Sequence, residues 1–231
     1  MFRFFRRRSG GVSGLFLVLA VCGILSSCGG LVFGVPTSIM RAREVQGLPQ
    51  PSAAEVSGLA AGTKAIFAAQ IPADVATDEV NGLALFYVEE RLTGTRTADE
   101  IDNPDSSARN WQRVQPPADT IEIILIDGEV VSVGVPSSAT FLNSETIPDS
   151  ATMEGMERRS VGYLPGQTVA IEGTWEGNAR ITADTFYRGS RADYVTQVRQ
   201  APGSILIFSI LCGSISFALL IAGGVLRFLG R

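Results

Sequence analysis

Residues 168–186 read TVAIEGTWEGNARITADTF, and this stretch decides the fold. Val169, Ile171 and Gly173 alternate with other positions, and Ile181 and Ala183 repeat the pattern beyond Glu176-Gly177-Asn178. Successive strand side chains point to opposite faces, so this alternation marks a sheet with one buried side. Segments 168–175 and 179–186 are therefore expected as a hairpin around a three-residue turn with glycine. Segments 120–126 and 129–135 form a second hairpin around Asp127-Gly128, a pair that supplies the positive φ of a tight turn. Upstream, 64–71 (KAIFAAQI) and 83–92 (LALFYVEERL) have strand length and strand composition. About six short strands without a repeat predict a mainly β fold, a small OB-like or half-open barrel, because closure removes exposed strand edges.

Outward from this β domain, 64–189, the character of the chain changes. Residues 36–63 are small and polar with Pro49 and Pro51, and are expected as a juxtamembrane linker. Residues 190–203 read as a short amphipathic helix and a Pro202-Gly203 hinge. Beyond lie two uncharged apolar runs, 12–35 and 204–226, each long enough to cross a bilayer as a helix. They account for a 45% hydrophobic fraction and a mean hydropathy of +0.23. Pro36 is expected to stop the first helix. Gly30 and Gly34 give it a GxxxG spacing, and Gly213, Ala218 and Ala222 give the second a set of small residues for packing against a partner helix. The first run also reads as a lipoprotein signal: basic start, apolar core, then Leu25-Ser26-Ser27-Cys28-Gly29 resembling a lipobox, with Cys28 lipidated after cleavage.

Charge placement sets the expected orientation. All 23 acids lie between Glu44 and Asp193, whereas the tails 1–11 and 227–231 carry Arg3, Arg6, Arg7, Arg8, Arg227 and Arg231 and no acid. Positive-inside bias puts both termini in the cytoplasm of a bacterial cell membrane and the central domain outside. The middle keeps 13 of the 19 basic residues against those 23 acids, a net charge of about −10. Such a domain repels nucleic acid; its expected partners are the lipid bilayer and another membrane or envelope protein.

The span–β domain–span arrangement resembles the GIDE-type domain of mitochondrial ubiquitin ligases and bacterial membrane proteins. The residues that carry the resemblance are Gly82-Leu83-Ala84-Leu85-Phe86-Tyr87-Val88-Glu89-Glu90-Arg91, Leu164-Pro165-Gly166-Gln167-Thr168-Val169-Ala170-Ile171-Glu172-Gly173, and Asp127-Gly128 between two strands. The ligases of that family carry a zinc-binding RING. Up to Arg231 this chain has no Cys-x-x-Cys pair and no histidine, so ubiquitin transfer is not carried over. The resemblance implies an anchored domain for recognition.

The chemistry-bearing residues are few. Histidine is missing, which removes the commonest general base, zinc ligand and triad member. Cys22, Cys28 and Cys212 all sit in the apolar runs, so the β domain has neither a disulfide framework nor a thiolate metal site. Glu89-Glu90 point to opposite faces if they lie on a strand, so the two carboxylates do not converge. Asp99, Glu100, Asp102 and Asp105 lie on a long exposed loop, 93–117, without an EF-hand ligand set; with Trp111 they form a candidate interaction loop. Trp111 itself is expected as a cap over the barrel mouth. Lys64 is the only lysine, and a Ser-Lys dyad would need it desolvated. No catalytic, cofactor or metal residue is assigned. The expected function is a non-catalytic interaction or scaffold module. The alternatives are a subunit of a larger membrane complex and a Ser/Lys-type hydrolase.

Overall fold

The computed structural model describes residues 9–78, 80–92, 111–126, 128–149 and 155–229, with side chains from 18 to 225 (53 excepted) and at 228. The chain divides into two units: a β unit, Leu48–Tyr194, and a helical unit made of the segments on either side of it.

The β unit contains ten strands: β1 Thr63–Gln70, β2 Leu85–Leu92, β3 Gln112–Gln115, β4 Thr120–Leu125, β5 Val130–Gly134, β6 Thr140–Leu142, β7 Glu145–Pro148, β8 Met156–Tyr163, β9 Thr168–Gly177 and β10 Arg180–Arg188. Five of them close on themselves in the order β1-β4-β5-β10-β9 and back to β1. The β5–β10 pairing is parallel and the other four are antiparallel. Numbered along the barrel alone, this is the 1-2-3-5-4-1 circuit of an OB-like barrel, as expected. The remaining strands are insertions. β6 continues along β10 after β5 ends, and β3-β2-β8-β7 make a second, antiparallel sheet.

The first hairpin explains why the barrel closes. Val169, Ile171, Trp175, Ile181, Ala183 and Phe186 all enter the core. The register of β10 against β9 shifts between Ala183 and Thr185, so Asp184 is bulged out and Phe186 still faces inward. Gly173 is needed here, because a Cβ would fall on the Thr182 carbonyl oxygen and 3.0 Å from the Ala183 Cα. β9 runs on through Gly177, so the expected turn moves by a residue to Asn178-Ala179, both at positive φ (51° and 55°). In the second hairpin Gly128 takes φ 98°, while Asp127 lies outside the described residues. The two sheets share one core, in which Phe141 meets Tyr87, Tyr163 and Phe186 at ring-centroid distances of 5.1, 5.2 and 5.4 Å. The fully buried Tyr163 hydroxyl donates to the carbonyls of Phe186 (2.9 Å) and Leu142 (3.0 Å). Burial pushes its pKa well above the ordinary tyrosine value.

Several sequence boundaries are corrected. Segment 93–117 is not all loop, because Gln112–Gln115 form β3. β6, β7 and β8 were not expected at all. In the helical unit, α1 (Ser9–Gly29) does not end at Pro36: it passes through a π-helical turn, Gly30–Gly34, into α2 (Val35–Gly47), so the start of the expected linker is helix. The wider turn accommodates the missing N–H and bulky ring of Pro36, with the Val35 N–H reaching back five residues to the Gly30 carbonyl. Thr37 and Ser38 hydroxyls donate to the carbonyls of Phe33 (2.7 Å) and Val35 (2.9 Å). Pro202-Gly203 is likewise no hinge. After a single turn α3 (Ala53–Val56), the last helix, α4, runs unbroken over Arg191–Leu229 with Pro202 inside it.

Candidate functional site

The second sheet carries a charged and aromatic face that grows out of the core. On β2, Tyr87, Glu89 and Arg91 share one side by alternation, and their partners on β8 are Val161, Arg159 and Glu157. Arg159 donates to the Glu89 carboxylate through Nε (2.8 Å) and Nη2 (2.7 Å), and Arg91 to Glu157 at 2.7 and 2.6 Å. On the opposite side Glu90 lies 3.7 Å from Arg158, which also reaches Asp149 at 3.5 Å. Glu89 and Glu90 thus diverge, each facing its own arginine. Half-exposed pairs of this kind stabilise by at most about 1 kcal/mol each, so their main effect is to hold the guanidinium planes in place.

Trp111, the residue before β3, lies across those planes. Its ring centroid is 3.9 Å from the Arg159 guanidinium and 4.6 Å from that of Arg91, within cation–π range. It is therefore set over the second sheet, where the sequence placed it over the barrel mouth. Next to it Arg113 stacks 3.8 Å over Tyr87 and donates to the Ser137 and Ala139 carbonyls. All four residues of β3 are exposed. Trp, Tyr and Arg are the residue types that anchor protein interfaces; here Tyr87 is buried, Trp111, Arg91 and Arg159 are half-buried, and Arg113 is exposed. The sequence pointed to Trp111 but not to Arg91, Arg113 and Arg159. The signal that could have found the last of these is the opposite-sign order of Glu89-Glu90-Arg91 and Glu157-Arg158-Arg159 on two antiparallel strands.

A second cluster lies on the outer wall of the barrel. Glu172, in the middle of β9, is fully buried. The Lys64 ammonium sits 3.1 Å from Glu172 Oε1 and 3.1 Å from Asp184 Oδ2, the residue freed by the bulge. The Tyr194 hydroxyl, from the first turn of α4, donates to Glu172 Oε2 at 2.5 Å, and its ring packs 5.5 Å from Tyr187. Burial would lower the Lys64 pKa, but the hydrogen bonds and charges of Asp184 and Glu172 outweigh it and leave the value raised. A catalytic lysine base has to be neutral, whereas this setting favours the ammonium. The sequence clue missed was a carboxylate on a strand whose neighbours, Ala170 and Ile171, are also buried.

The helical unit places the remaining candidates. Gly30 and Gly34 face α4: a Cβ on Gly30 would fall on the Ser209 hydroxyl, and one on Gly34 would lie 3.3 Å from Ile205 Cγ2. From the other side, a Cβ on Gly213 would lie 2.8 Å from Ser27 Oγ. Ser27 in turn donates to the Ser209 carbonyl at 2.5 Å. These glycines pack two helices of the same chain. Ala218 and Ala222 are exposed on α4, and Cys28 is exposed on α1. Asp99, Glu100, Asp102 and Asp105 lie outside the described residues. Among the described residues no cluster of His, Cys, Asp and Glu could hold a metal. Compared with known protein families, curated proteins and solved structures, the chain matches none.

Proposed function

We propose that this protein is a membrane-anchored recognition module: two spans hold the OB-like domain on the outer side of the membrane, where the Trp111 face docks another membrane or envelope protein. The membrane half of this reading rests on an inverted helical unit. Ser27, Ser209 and Ser216 are buried, while Leu25, Val32, Phe33, Ile207, Phe208 and Phe217 are exposed, the arrangement expected where lipid is the solvent. Two helical segments, Val18–Gly47 and Arg191–Val225, are long and apolar enough to cross. Orientation follows from the arginine tails and the acidic middle. The GIDE-type resemblance implies the same arrangement.

The observation that carries the recognition half is Trp111, laid over Arg91 and Arg159 beside an exposed strand. Interface energy concentrates in such anchors. The test is a photo-crosslinking amino acid at Gln112 in cells: one discrete adduct is expected, lost on Trp111→Ala. An adduct that survives Trp111→Ala, or none in repeated trials, overturns the docking role. A second reading, in which the spans bind the partner, is favoured by the exposure of Ala218 and Ala222 away from the α1 seam. Ala218→Leu with Ala222→Leu then changes the size of the assembly in mild detergent; an unchanged size excludes it.

A further inference from the structure

We infer that the β domain holds an anionic amphiphile with a single apolar chain, of the fatty-acid carboxylate class, in a pocket at the seam between β1 and β4. β1 pairs with β9 over eight residues but with β4 at only two positions, Ala69↔Leu125 and Gln70↔Ile124. Before those positions the neighbour of β1 is the entering chain, the Ile66 N–H donating to the Pro49 carbonyl at 2.9 Å. The Ile126 N–H still donates to the Ala68 carbonyl at 3.1 Å, and a pocket of about 350 Å³ is lined by residues of both strands and of the entering chain. That is the low end of the range for small-molecule sites.

The lining sorts into two chemistries. Phe67, Val56 and Leu125 supply an apolar floor, each at most 2% exposed, and Ile126 stands 58% exposed among the lining residues. Among the described residues the one charged member of the wall is Arg191, whose Nη1 donates to the Pro51 carbonyl at 2.7 Å. Among the described residues no carboxylate lines the pocket. Glu55, the acid that acts on Arg191, is held by the Ser52 amide and hydroxyl, both at 2.8 Å. A guanidinium over an apolar floor complements a carboxylate on a hydrocarbon chain. The walls include 50–52, 56 and 190–192, close in sequence to the apolar runs, and the ligand source put to the test is the bilayer.

This inference shares only the membrane anchor with the recognition reading, and the experiment scores the two separately. Full-length protein in phosphatidylcholine nanodiscs is irradiated with a diazirine-bearing decanoate, and adducts are mapped on peptides. Adducts within 50–56, 125–126 or 190–192 are expected. Arg191→Gln lowers them about tenfold, the loss of one charge-assisted hydrogen bond. Ala68→Phe, which fills the pocket from β1, abolishes them. A decanol probe of the same length labels the pocket no better than the Arg191→Gln protein does with decanoate. Labelling of the spans, unchanged throughout, reports insertion. Adducts confined to the spans, or pocket adducts equal for decanoate and decanol, overturn the inference. Should Ala68→Phe fail to fold, Arg191→Gln and the decanol control decide.

Discussion

Replacing Lys64 with methionine removes the counter-charge from a carboxylate that has no access to water. Breaking one side of a buried ion pair costs about 3–5 kcal/mol, because the remaining charge stays desolvated. Two features here pull the figure down. Lys64 is itself 35% exposed, and the Tyr194 hydroxyl still donates to Glu172. A loss of about 2–4 kcal/mol is expected, or about 5–15 °C in Tm for a domain of this size. The double variant Lys64→Met/Glu172→Gln removes the orphaned charge and should recover most of the loss. The assay is thermal unfolding of the full chain in detergent by tryptophan fluorescence, with Trp175, 3% exposed and 6.5 Å from the Phe67 ring, as the core reporter. The pH dependence supplies a check of sign. The Lys64 pKa is raised, so its contribution is complete below the ordinary value of 10.5 and disappears only as pH climbs through the raised one. Wild type should therefore show no loss of the Lys64 contribution between about pH 6 and 9. A Tm for Lys64→Met within about 2 °C of wild type, or a double variant no better than the single one, would refute the reasoning.

Three further outcomes follow from local geometry. Ala179 sits at φ 55° in the β9–β10 turn, so Ala179→Gly should stabilise by about 1 kcal/mol, read as a higher denaturation midpoint with unchanged slope. Gly162 on β8 has no room for a side chain: a Cβ would strike the Leu85 carbonyl oxygen and sit 2.6 Å from Phe86 Cβ, so Gly162→Ala should cost about 1–3 kcal/mol in the same assay. Glu55 and Asp193 cap α3 and α4, and hydrogen bonds from Ser52 and Ser190 hold both carboxyls below their ordinary values of 4.5 and 3.8. Their stabilisation is therefore complete above those values and lost as pH falls through the lowered ones. Amide exchange at Ser190–Asp193 should accelerate there, and earlier in Ser190→Ala.

The barrel was legible in the sequence because each of its hairpins buries one face, which writes a period of two into residues such as Val169, Ile171, Ile181 and Ala183. The second sheet was not. Met156–Tyr163 opens with Glu157, Arg158 and Arg159, which read as loop because their partners, Arg91, Glu90 and Glu89, are some 70 residues away in the chain. Charge that is satisfied across a ladder looks the same in one dimension as charge that is merely solvated. The helix ends failed for a related reason. Proline rules describe an isolated helix, and Pro36 is absorbed by a π turn that no local propensity encodes. The Glu89-Glu90 divergence could be read, because it needs only alternation. The burial of Glu172 could not, since Lys64, Asp184 and Tyr194 meet it only when the barrel is closed.

The barrel circuit also sets a schedule for biosynthesis. β1, the first strand to leave the ribosome, pairs along its whole length with β9, about a hundred residues later, and β5 must wait for β10 to complete its parallel edge. Long-range pairings of this sort form slowly, since distant segments have to be brought together before any contact rewards them. At about 5–20 residues per second, translation leaves the apolar β1 waiting many seconds for its neighbour. Throughout that interval α1 and α2 have already been made, while α4 is still unsynthesised. The nascent chain therefore passes through a stage with a finished leading helix and an open, adhesive sheet, and it is then that a chaperone would be needed most.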